Sequence, residues 1–196
     1  MNPANPLIVQ SDRTVLLEVA NPLYAHARDR LAQFAELDKS PEHIHTYRIS
    51  PLSIWNATAA GLAPSEILAT LEELGKFDVP PALRHEINEL AGRYGRIVLE
   101  KDGDQLRLCV ANAALARQLA HHPKVVPLLV GPHTDGSFGV PTRNRGEIKR
   151  VLTELGFPVK DVAGYAQGAP LPLQLRSSTR GGEAFDVRDY QSDAVA

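Results

Sequence analysis

The sequence predicts an α+β protein: a hairpin-and-helix front domain with a winged-helix-like unit, followed by a small ββαββα domain. Three observations carry this expectation. Hairpin signals recur at 7–19 and 97–110, three proline-opened amphipathic helices lie between them, and the charge changes sign near residue 95. Residues 1–94 carry 8 Lys and Arg against 12 Asp and Glu, whereas residues 95–165 carry 10 against 7. An acidic front and a basic middle point to a protein partner for the first and a polyanion for the second.

In chain order, Leu7-Ile8-Val9-Gln10 and Thr14-Val15-Leu16-Leu17-Glu18-Val19 flank the polar turn Ser11-Asp12-Arg13, which reads as a β-hairpin. Asn21-Pro22 supplies a cap and a first-turn proline for a helix whose stripe is Leu23, Ala27, Leu31 and Phe34. Pro41 breaks the chain, and His43–Ile49 reads as a strand. Ser50-Pro51 opens a helix with Leu52, Trp55 and Ala59 that stops at Gly61. Pro64-Ser65-Glu66 opens the next, with Ile67, Leu68, Leu71 and Leu74 inward, and Pro80-Pro81 opens a third with Leu83, Ile87, Leu90 and Tyr94. The Asp-Gly turn at 102–103 between alternating runs predicts the second hairpin. Three helices and a ribbon over 50–110 make the winged-helix outline.

Beyond it, Asn112 caps a helix bearing Leu115 and Leu119, and 125–130 and 138–140 read as two short strands. Asn144 with Glu147 forms the pattern of a capping box for a helix carrying Ile148, Val151, Leu152 and Leu155. The expected divisions are therefore 1–94, 95–165 and 166–196. The last is a linker rich in Gly, Pro and Ser that leads into a new element at 185–191, where the sequence ends as if truncated.

A chain of 196 residues with 43% hydrophobic and 22% charged residues has ordinary globular composition. No apolar run reaches membrane-spanning length, and the first residues lack the basic and apolar regions of a signal peptide. The single cysteine, Cys109, excludes an internal disulfide framework, so a reducing, cytoplasmic setting is the expectation. No catalytic constellation is complete. Gly75-Lys76 precedes Phe77 and has no upstream glycine to form a triphosphate loop, and His85-Glu86-Ile87-Asn88-Glu89 has Glu where a zinc-protease helix needs its second His.

Isolated candidates read as structural. His43 and His45 face one way from a strand but have no third metal ligand, so they read as a surface or hydrogen-bonded pair. His121-His122 suits the negative end of a helix dipole. Cys109 is expected to be buried and inert, and Trp55 to belong to the core rather than to a base-stacking platform. The remaining cluster, Arg143, Arg145, Lys149 and Arg150, is interrupted only by Glu147 and is the candidate DNA contact.

The segments 6–19, 40–57 and 93–96, then 155–158 through Gly164-Tyr165, and finally Val187-Arg188-Asp189-Tyr190-Gln191, resemble in order the front of the XPB family of superfamily two DNA repair helicases, in its bacterial form. The resemblance implies an ATP-dependent 3′ to 5′ helicase of nucleotide excision repair. Its ATP-gripping and magnesium-binding motifs would follow residue 196. It implies that Gln191, with Arg188 beside it, belongs to the adenine-reading segment of the first motor domain; an amide can donate to and accept from a base edge at once. It also implies that residues 95–165 are a damage-recognition-like domain probing forked or distorted duplex. Residues 1–94 would dock a partner nuclease or repair protein, a subunit of TFIIH in eukaryotes. A different reading is a winged-helix transcription regulator using helix 80–94, but its outward Arg84, His85 and Arg93 are set against Glu86 and Glu89, a poor design for groove entry. A scaffold that binds only protein is the third.

Overall fold

The computed structural model describes residues 2–164 and 178–184. Residues up to Gly164 form one compact unit that contains two clusters of buried side chains. Of Tyr165–Ala196, the described part is a short turn closed by an antiparallel bridge between Ser178 and Ala184.

The first cluster forms between an antiparallel sheet and four helices. Strands β1 (Leu7–Val9) and β2 (Thr14–Glu18) make the expected hairpin. Arg13 turns it with φ 72°, and the Asp12 carboxylate accepts from Thr14 N–H at 3.0 Å. Helix α1 (Tyr24–Leu31) begins later than Asn21-Pro22 suggests, because Asn21 spends its side-chain oxygen on Leu23 N–H in a preceding turn. Ala27, Leu31 and Phe34 are buried as the stripe requires, whereas Leu23, ahead of the helix, is exposed. Strand β3 (Glu36–Lys39) is an edge strand with a bulge between Leu37 and Lys39, pairing with β4 (Ile44–Arg48), and the sheet order is β1-β2-β4-β3.

Helices α2 (Pro51–Ala59), α3 (Pro64–Leu74) and α4 (Pro81–Ala91) start where their prolines place them. Ser50 Oγ accepts from Ser53 N–H at 3.0 Å while Ser53 Oγ accepts from Ser50 N–H at 2.9 Å, a reciprocal cap. Ser53 Oγ also donates to the Phe34 carbonyl at 2.8 Å and so ties this cap to the chain after α1. Trp55 is core, as its stripe predicts: it is 5% exposed, and its Nε1 donates to the Leu90 carbonyl at 3.0 Å, joining α2 to the end of α4. Asn5 performs a similar service between the N-terminal segment and α3. Its amide donates to the carbonyls of Glu73 and Gly75, at 2.6 and 2.9 Å, where a helix end leaves acceptors without partners. Gly75 itself has no space for a side chain, because a Cβ there would stand 2.5 Å from the Leu71 carbonyl oxygen and 3.0 Å from that of Phe77.

The second cluster forms under a sheet of order β7-β6-β5-β8. Strands β5 (Ile97–Asp102) and β6 (Gln105–Val110) enclose a two-residue loop, with Gly103 at φ 59°, a conformation glycine adopts at little cost. Asn112 caps α5 (Ala113–Ala120) by accepting from Leu115 N–H at 2.9 Å. β7 (Phe138–Val140) pairs with β6; α6 (Arg145–Glu154) follows, and β8 (Val159–Asp161) returns parallel to β5.

The segment 125–130 is not a strand: Val126–Leu128 forms a 3-10 turn around Pro127, which has no N–H to give a sheet ladder, and only Val130 bridges to Gly139. The order from residue 95 is therefore ββαβαβ, with β8 in place of the missing strand. The capping box at Asn144 is absent as well: its backbone, at φ −90° and ψ 0°, is not in the extended conformation of a cap, its side chain makes no cap hydrogen bond, and its amide donates to the Leu128 carbonyl at 3.4 Å. The β5–β6 ribbon is the centre of a four-stranded sheet with its own buried cluster, an arrangement that does not support a winged-helix unit over 50–110.

Replacing Asn5 with Ala is expected to lower the unfolding free energy by about 1–3 kcal/mol, the cost of leaving enclosed carbonyls without donors. Urea denaturation checks this, and an unchanged midpoint would contradict it.

Candidate nucleic-acid interface

Three of the four cations in the predicted cluster are already engaged. Arg145 lies at the start of α6 and forms a two-pronged pair with Asp161, Nε to Oδ2 at 2.9 Å and Nη2 to Oδ1 at 2.8 Å. Its third nitrogen donates to the Gly164 carbonyl at 2.5 Å. Lys149, one turn further along, donates to the same carboxylate at 2.9 Å. The Asp161 side chain is only 10% exposed. Burial pushes its pKa up, but the bonds from Arg145, Lys149 and Ala163 N–H outweigh that and hold the carboxyl below its ordinary 3.8. Arg150 sits between Glu147, at 2.6 Å, and Glu154 on the same helix; its hydrogen bond keeps the Glu147 carboxyl below the usual range. Arg143 is exposed and makes no ion pair among the described residues. Paired cations reach a phosphate only by giving up a carboxylate. The surface they present is therefore far less positive than their number suggests.

The same holds for the helix a winged-helix regulator would use. Along α4 and just past its end, Arg84 pairs with Glu72, Arg93 with Glu89 at 2.5 Å, and Glu86 with Arg13 at 3.3 Å.

His45 shares a 3.1 Å hydrogen bond with the Tyr24 hydroxyl, their rings meeting edge-on, while His43 is exposed ahead of β4. His121 donates from Nδ1 to the Arg117 carbonyl at 2.8 Å at the end of α5, where a helix-terminal histidine was expected. Cys109 is half-buried rather than buried, opposite Val98 on the outer side of the sheet; burial and the nearby Glu100 push its thiol pKa up, so it is protonated at neutral pH. Arg188 and Gln191 lie outside the described residues. No described helix is long and apolar enough to cross a membrane.

The Asp161 node makes a prediction about stability. A carboxyl held below its unfolded pKa stabilises the fold above that value, and the contribution is lost as pH falls through the lowered one. Asp161→Asn is therefore expected to cost about 1–3 kcal/mol at neutral pH. The gap to the wild type should close as the solution is taken acid of 3.8. Unfolding curves across that range decide it; a gap independent of pH would refute the pairing.

Comparison with known proteins matches residues 7–132 to a family described as helicase conserved C-terminal domain. The chain is 40% identical over 187 residues, 95% of its length, to the DNA 3′-5′ helicase XPB of Mycobacterium tuberculosis. It is equally similar, 40% over 191 residues, to the protein of that name from Kineococcus radiotolerans. It spans 33% of the length of each of these two relatives. A more distant match, 30% identical over 135 residues (68% of this chain and 17% of the relative), is the general transcription and DNA repair factor IIH helicase/translocase subunit XPB of Schizosaccharomyces pombe. With the family match covering well over half of its residues and the bacterial similarity running nearly end to end, the chain belongs to the XPB family of helicases.

Proposed function

We propose that this chain is the DNA-recognition and partner-docking front of an ATP-dependent 3′ to 5′ DNA helicase of nucleotide excision repair. The observation that carries the reading is the 40% identity maintained over 95% of the chain to a relative named as a DNA 3′-5′ helicase, together with the chain's one-third share of that relative. The matching family's description refers to a helicase C-terminal domain. Against that wording, the order of segments in the sequence, ending on Val187–Gln191, favours a position ahead of the motor.

In this reading residues 95–165 touch forked or distorted duplex and bias the motor toward it, while residues 1–94 dock a nuclease or repair protein. The acidic charge of the first part and the basic charge of the second favour that division. Arg143 is ready to meet a phosphate; Arg145, Lys149 and Arg150 join only by exchanging their carboxylates. ATP and magnesium are held by motor residues beyond this chain. Gln191 fits the adenine edge, with Arg188 nearby. Such a front supplies phosphate contacts and position, not sequence readout.

Two measurements test it. The gene is expected to encode a Gly-x-x-x-x-Gly-Lys-Ser/Thr loop within a few dozen residues after Ala196; a reading frame without one removes the motor and the proposal with it. In the full-length protein, Gln191→Ala is expected to raise the KM for ATP about tenfold while leaving binding to forked DNA intact, since the lost amide reads only the nucleotide. An unaltered KM contradicts the adenine-reading role.

A further inference from the structure

We propose that the phosphate-binding surface of this chain on duplex DNA is the exposed side of α5 and the turn after it, centred on Arg117, His121 and Lys124, rather than the cations of α6. The inference rests on reading residues 95–164 as the DNA-contacting part, and it names where that contact is made.

The charge distribution is the first argument. No Asp or Glu occurs between Asp104 and Asp135, a stretch that contains Arg107, Arg117 and Lys124. Residues 95–104 carry two cations against three carboxylates, and 135–164 carry five against four. The two flanks therefore cancel, and the whole positive excess of residues 95–164 belongs to the stretch between them. Within it Arg107 is held between Asp102 and Asp135, at 3.1 and 3.5 Å. Arg117 and Lys124 remain. Neither forms an ion pair among the described residues, and the Arg117 Nε reaches only the Ala113 carbonyl, at 3.3 Å.

Geometry is the second argument. α5 turns Leu115 and Leu119 into the second core. Its other side leaves Ala113, Ala114, Arg117, Gln118 and His121 exposed, with Lys124 exposed just beyond. Arg117 and His121 are one turn apart and therefore neighbours. The bond from His121 Nδ1 to the Arg117 carbonyl fixes that ring at the helix end. Lys124 is held in its turn by a bond from its N–H to His122 Nδ1 at 3.3 Å. The two exposed alanines project no bulk, so a sugar–phosphate backbone can lie along the helix. The bond from Asn144 to the Leu128 carbonyl joins the turn that follows Lys124 to the start of α6, next to Arg143.

Chemistry selects the ligand. A phosphate gains more from a cation that has no carboxylate to surrender than from one that must break an ion pair first. Residues 95–137 contain no Phe, Tyr or Trp, and the His121 ring is tied back to the Arg117 carbonyl, so this surface offers no broad platform for unstacked bases. The fit is to a duplex backbone, without sequence preference.

The test is fluorescence anisotropy of a labelled forked duplex titrated with the whole chain at about 50 mM salt, where phosphate contacts are strong. Arg117→Ala with Lys124→Ala is expected to weaken binding about tenfold and to reduce the salt slope by about two. The pair Lys149→Ala and Arg150→Ala should change affinity less than about twofold, since those side chains are already neutralised. The conservative pair R117K and K124R should bind as the wild type does, and circular dichroism establishes that each variant is folded. If the α5 pair binds like the wild type while the α6 pair loses affinity, this inference falls and the broader DNA reading stands. Equal losses from both pairs would also overturn it. If the wild-type chain does not bind the fork at this salt, the broader reading falls and takes the inference with it.

Discussion

A partly buried carboxylate must be neutralised, and in this protein Asp161 meets that requirement with two cations from α6. Much follows from that one demand. It fixes the three-residue strand β8 to the helix before it, where parallel pairing with β5 alone would be a modest restraint. It removes Arg145 and Lys149 from the pool of positive charge that a passing phosphate would feel. Because Glu147 and Glu154 do the same to Arg150, the most basic run of the sequence becomes one of the better-balanced regions of the surface. Charge left over, not charge present, decides which face attracts a polyanion.

The elements that sequence made legible are those whose determinants are local. Ser50-Pro51, Pro64 and Pro81 open helices because proline's fixed φ and missing N–H suit a first turn, and Gly103 closes the second hairpin through a backbone angle it adopts freely. Trp55 was legible from spacing alone, although its bond to Leu90 was not. What stayed hidden depends on distant partners or on exposure. β3 has four exposed residues and carries no alternation to announce a strand; it exists because β4 offers it an edge. β8 is too short to show a period. The stretch 125–130 is apolar enough to imitate a strand until Pro127 turns it.

The candidate site divides along the same line. Its residue types were readable, since four cations around a helix start are conspicuous in any sequence. Their pairing was not, because Asp161 stands 16 positions from Arg145 and 12 from Lys149 and reaches them only after the chain has turned back as β8. The carboxylate-free interval from 105 to 134 was visible all along as an absence, which draws less attention than a run of arginines. Family membership was legible in ordered segments spread over the chain, and the two bacterial relatives agree with it across nearly the full length.

The placement of Trp55 also divides the molecule optically. It is the single tryptophan, it is packed between α2 and α4, and residues 95–164 contain neither tryptophan nor tyrosine. Indole emission from the described residues therefore arises in the sheet-and-helix cluster of Leu7–Ala91, and the cluster under β5–β8 contributes no indole signal. A melt followed by indole fluorescence and one followed by backbone dichroism sample different territories of the same chain. Their coincidence or separation reports whether the two cores come apart together.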